Sequence, residues 1–109
     1  MITGIQQVGI GVPEAIKAKF FYRDHFGFDT KVFDDKADAT LMTKYTGDEI
    51  HHRHAILAMN LSGGGGIAIW QYLSRKPATP VDAIQPGDPG IFATKIKTRN
   101  IKAAHDYFS

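Results

Sequence analysis

A shift along the chain that lays Gly4-Ile5 on Gly90-Ile91 also lays Ile10 on Ile96, Ala15 on Ile101, Ala18 on Ala104 and Phe21-Tyr22 on Tyr107-Phe108. The matched positions are those that a strand followed by a helix turns inward, whereas solvent-facing ones such as Lys19 and His105 differ. A strand–helix unit opens the chain and begins again at Gly90, so the expected domain is assembled from repeated modules. The predicted organisation is a first module over 1–73, a Pro-rich linker over 74–89, and the first strand and helix of an incomplete second module over 90–109.

Within the first module, residues 2–12 alternate and then run apolar through Ile5, Val8, Ile10 and Val12, as in a strand buried on both faces. Pro13 stops that ladder and suits a first helical turn, and Glu14 favours the positive end of a helix. Ala15, Ala18, Phe21, Tyr22 and His25 then recur at helical spacing, and Gly27 stands where a left-handed cap ends a helix. Residues 28–33 read as a second strand ending at Asp34-Asp35. Residues 36–49 show little period and predict an irregular segment with one short helical turn. Residues 51–61 and 67–73 are strand-like and are separated by Ser62 and the four glycines 63–66, which predicts an antiparallel hairpin with a loose tip. The unit is βαβββ. Pro77, Pro80, Pro86 and Pro89 mark the linker, and strand character resumes at Ile91.

Composition removes several classes of function. The chain has 109 residues, enough for one core. Thirteen Lys and Arg against eleven Asp and Glu leave a formal charge of +2, scattered along the chain, so no basic stripe is set up for nucleic acid. Cysteine is absent, which excludes disulfides, thiolate zinc sites and a thiol nucleophile, so any metal binds through N or O. No apolar run is long enough for a membrane span and no secretory signal opens the chain, so the expected location is cytoplasmic.

A βαβββ unit opening with Ile5-Gln6-Gln7-Val8-Gly9-Ile10-Gly11-Val12, followed by a helix ending in Phe21-Tyr22-Arg23-Asp24-His25-Phe26-Gly27-Phe28 and a late strand Ile67-Ala68-Ile69-Trp70-Gln71-Tyr72, resembles the vicinal oxygen chelate superfamily. That superfamily groups glyoxalase I, bleomycin-resistance proteins and extradiol dioxygenases. The resemblance implies an α+β fold of the glyoxalase, bleomycin-resistance and dioxygenase type, with the start of a second module. It specifies the reaction poorly, because one fold hosts many chemistries.

The resemblance also implies a divalent metal in the concave sheet, held by first-strand and last-strand residues of each module. The first-strand ligand position falls on Gln7, a neutral amide that can ligate a hard cation or simply line a cavity. The late-strand carboxylate position falls on Ala68, and the second module's first-strand position falls on Ala93. Neither can ligate, so the family's metal chemistry does not carry over whole.

His51-His52-Arg53-His54 is the densest titratable cluster. Strand alternation puts His52 and His54 on one face, as a shared metal site with Glu49 nearby or as a polar strand entrance. If Ala55, Leu57 and Met59 meet the helix, His54 and Ile56 face the cavity, and His54 becomes the candidate general base. Trp70 and Tyr72 share the Ala68 face and suit stacking on a planar ligand or ordinary sheet packing. The glycines 63–66 lack the Lys-Ser/Thr and following helix of a phosphate loop.

Three functions follow. The first is a protein that binds a small apolar or aromatic molecule on the concave sheet through Gln7, Ile56, Trp70 and Tyr72, without a complete metal site. The second is a metal-dependent enzyme resembling a lactoylglutathione lyase or an extradiol dioxygenase, with Gln7 as metal ligand and His54 as catalytic base. The third is a non-catalytic interaction module. A single concave module leaves Ile56, Trp70 and Tyr72 facing water, so a homodimer is expected, with neither nucleic acid nor membrane as partner.

Overall fold

The computed structural model describes residues Met1–Ser109 and divides into two compact units, Met1–Ala78 and Thr79–Ser109.

In the first unit, strand β1 (Gln7–Gly11) leads through Pro13 into helix α1 (Ala15–Phe26). Strand β2 (Thr30–Asp38), a 3₁₀ turn over Thr40–Tyr45, and strands β3 (His52–Asn60) and β4 (Gly65–Tyr72) complete the βαβββ order. The sheet runs β1-β4-β3-β2, with β1 parallel to β4 and the other pairs antiparallel. The four-stranded sheet with one covering helix is the expected α+β module.

Helix α1 stops where the sequence stops it. Gly27 adopts φ 70°, and its N–H donates to Arg23 O. A Cβ there would come within 3.0 Å of Asn60 Nδ2. Asn60 earns that proximity by donating from Nδ2 to Phe26 O at 2.8 Å while its Oδ1 accepts from Ser62 N at 2.9 Å, tying the helix end to the hairpin tip. At the other end Glu14 is the N-cap but makes no side-chain cap. Gln71 of β4 supplies the missing acceptor, with Oε1 2.8 Å from the N–H of fully buried Ala15. Pro13 lies just before this cap, outside the first helical turn.

The core lies between α1 and one face of the sheet. Ile56, Ala58, Ile67 and Ile69 pack with Ala15 and Phe28, joined by Ile10, Val12, Ala18, Tyr22 and Phe26. The helix therefore presents Ala15, Ala18, Tyr22 and Phe26, and Phe21, expected inward, is 49% exposed against the His25 ring. Lys19, expected to face solvent, reaches across to β2, with Nζ 2.8 Å from Asp34 Oδ2.

Three further expectations change. The first strand is an edge strand with Gly9 and Gly11 exposed, because nothing pairs beyond β1 and only its Val8 and Ile10 side turns toward the helix. The second strand starts later and runs on to Asp38, because β3 continues to His52 and offers a partner at every step except one irregularity between Lys31 and Phe33. The strand expected from Ile91 is not formed. A strand needs a neighbour to satisfy its ladder, and residues 79–109 contain no other.

In the second unit, helix α2 (Ile101–Phe108) is capped by Asn100, whose side chain accepts from Ala103 N at 2.9 Å. No helix of the chain is long and apolar enough to cross a membrane.

Candidate functional site

Alternation along the strands sends the residues between the core positions to the opposite side of the sheet. From β1 these are Gln7, Gly9 and Gly11. Their partners on β4 are Gly66, Ala68 and Trp70, and β4 continues to Tyr72. On β3, Leu57 stands opposite Ala68, Ala55 opposite Trp70, and Arg53 opposite Tyr72. Phe33 of β2 pairs with Leu57. Gly9, Gly11, Ala55 and Ala68 carry no side chain or a methyl, so the floor is low over them, with Leu57 buried on the same face. The surrounding side chains are large, so its sides are high.

The result is a groove of about 410 Å³ bordered by Gln7, Gly9, Gly11, Phe33, Met42, Arg53, Ala55, Ala68, Trp70 and Tyr72. A Cβ added to Gly9 or Gly11 meets no atom within 4 Å, which shows that the floor opens directly onto empty space. Trp70 and Tyr72 meet edge to face with ring centres 6.0 Å apart. The indole Nε1 of Trp70 is buried without a hydrogen-bond partner.

Of the residues singled out in the sequence, Gln7, Trp70 and Tyr72 lie on this face. Ile56 and His54 do not. The expectation that Ala55, Leu57 and Met59 meet the helix is reversed, since α1 packs on Ile56 and Ala58. Ile56 touches the groove only from beneath, and its side chain is fully buried in the core. It is not left in water and needs no second chain to cover it.

His54 lies on the helix side, 5% exposed, with Nε2 2.6 Å from Asp34 Oδ1. Asp34 thus bridges His54 and Lys19. The hydrogen bond from His54, then that from Lys19, holds the Asp34 carboxyl below the usual carboxylate range. This is a buried-end ion cluster joining α1, β2 and β3, and it offers no groove-facing base.

The remaining histidines of the cluster each take a separate carboxylate. His52 Nδ1 is 2.8 Å from Asp38 Oδ1, and His51 Nε2 is 3.6 Å from Glu49 Oε2. Glu49 approaches neither His52 nor His54. Nowhere do three or more His, Cys, Asp or Glu side chains gather in a way that could hold a metal ion. Gln7 has Gly66 as its cross-strand partner, and the next groove-facing pair is Gly9 with Ala68. One amide beside a methyl and two glycines does not fit a divalent cation, which needs several converging oxygen or nitrogen donors.

Gly9, Gly11, Phe33, Met42 and Arg53 are groove residues with no such role in the sequence pattern, and Ala55, expected against the helix, joins them. Arg53 and Ala55 were legible from β3's alternation once the helix-facing parity was known. Phe33 and Met42 were not, because the face of Phe33 depends on the irregularity in β2 between Lys31 and Phe33, and Met42 lies in the 3₁₀ turn, whose course has no period to read.

No protein-family model matches the sequence, and no curated protein matches it. Among solved structures, a glyoxalase family protein from Bacillus cereus is similar, with a TM-score of 0.65 and 13% identity over 98% of this chain and 70% of that one. The shared architecture is the α+β fold of the glyoxalase type.

Proposed function

We propose that the chain binds a small planar, largely apolar molecule on the concave face of its sheet and does so without a resident metal. The observation that carries this reading is the groove itself. Its volume of about 410 Å³ lies within the roughly 300–1,000 Å³ usual for small-ligand sites. Its floor is Gly9, Gly11, Ala55 and Ala68, and Phe33, Met42, Trp70 and Tyr72 rise around it. A flat ring fits such a floor, and aromatic neighbours gain from stacking or edge contacts with it. The position that would carry a chelating carboxylate is the methyl of Ala68, which favours binding over the metal-dependent lyase or dioxygenase reading.

Calorimetric titration of 2-naphthol into the purified chain, with and without EDTA, tests the proposal. Binding is expected in both conditions and is expected to disappear in Gly9→Leu, whose side chain occupies the floor while the helix-facing core is untouched. Absence of binding to the parent chain, or binding that requires an added divalent cation, refutes the reading. The same proposal has two copies associate, since Phe33 on edge strand β2 is 42% exposed where it borders the groove. A monomer mass by light scattering removes that part of it.

A further inference from the structure

Arg53 is the sole charged side chain bordering the groove. Its guanidinium carbon stands 5.1 Å from the centre of the Trp70 ring. Its Nη1 and Nη2 donate to Asp35 Oδ1 and Oδ2 at 3.1 and 3.3 Å. The Arg53 side chain is 19% exposed and that of Asp35 51%, so the cation sits inside the groove and its counter-ion stands at the mouth. A guanidinium offers five N–H donors, of which this pair engages two. Held by an indole face on one side and a carboxylate on the other, Arg53 is a pre-positioned anion receptor in otherwise apolar surroundings.

Resting on the binding function proposed above, we propose that the ligand is a planar aromatic carboxylate, with its ring on the Gly/Ala floor and its carboxylate accepting from Arg53. Distances along the sheet support this arrangement. Arg53 pairs with Tyr72, and the next groove-facing pair, Ala55 with Trp70, is about 7 Å along the strands, with Ala68 beside Gly9 about 13 Å away. A one- or two-ring acid anchored at Arg53 covers that floor. Gln7, whose partner is Gly66, lies about 20 Å from the Arg53 end by the same spacing and is out of its reach. The charge also selects the anion. A carboxylate adds one negative charge beside the exposed Asp35, whereas a phosphate dianion adds two where no second cation borders the groove.

The test compares 2-naphthoate with 2-naphthamide by calorimetry on the parent chain, Arg53→Met and Asp35→Asn, each first checked for a parent-like melting transition. The acid is expected to bind at least about tenfold more tightly than the amide, the scale of a charge-assisted hydrogen bond. That preference is expected to vanish in Arg53→Met and to widen in Asp35→Asn, where the competing carboxylate is gone. Equal affinities in the parent chain, or a preference that survives Arg53→Met, overturn the carboxylate assignment and leave the binding function standing. Failure of both compounds to bind overturns both. If Arg53→Met does not fold, Asp35→Asn decides the matter, since an unchanged acid preference there overturns the assignment.

Discussion

Replacing Gln71 by Met removes the only acceptor that the sheet offers to the first amide of α1. Ala15 is fully buried, and Glu14 makes no side-chain cap, so its N–H depends on Gln71 Oε1 at 2.8 Å. A buried donor left without a partner costs about 1–3 kcal/mol. Taking about 2 kcal/mol, a unit of this size should melt about 8 to 16 °C lower. Thermal melting by circular dichroism gives that shift, and urea unfolding followed by Trp70, the single tryptophan, gives the free energy independently. Gln71→Glu keeps an oxygen at the same reach and adds a negative charge at the positive end of the helix, favourable by about 0.3–1 kcal/mol. It is expected to equal or exceed the parent. If the Met variant melts within about 2 °C of the parent, the capping argument is wrong, and α1 is held by its apolar face alone.

Two more perturbations address the core and the ion cluster. Ile56→Ala empties one of the two largest fully buried side chains and should cost about 2–5 kcal/mol, with Ile56→Val at about 0.5–1.5; urea midpoints that barely move for either place Ile56 outside the core. Asp34 has a folded-state pKa below its unfolded value, so its contribution to stability is present above about pH 4 and is lost as the pH falls through the lower folded value. Unfolding midpoints between about pH 3 and pH 7 should therefore fall less steeply on the acid side for Asp34→Asn than for the parent, and parallel curves would contradict the role given to this cluster.

The βαβββ order, the Gly27 stop and the hairpin were legible because each rests on local chemistry: periodicity, a left-handed cap, a glycine-rich tip between strands. The orientation of the sheet was not. Alternation along β3 separates His54, Ile56 and Ala58 from Ala55, Leu57 and Met59, but either set is apolar enough to pack on a helix. What decides is tertiary: β4 brings Ile67 and Ile69 beside Ala58 and Ile56, and α1 closes over that aliphatic side. Because the choice moves every side chain at once, the same step that misplaced His54 and Ile56 also hid Arg53. The strand expected at Ile91 failed for a related reason, since local strand character cannot supply a ladder partner.

Odd and even positions of these strands carry separate duties. One set of side chains bears the weight of the helix, while the other borders the hollow, where Gly9 and Gly11 have clear space above them. Enlarging Gly9 or Gly11 should therefore reshape what the hollow admits while leaving the melting temperature nearly fixed. The sheet acts as a partition, and ligand preference can drift on one side of it without disturbing the architecture on the other.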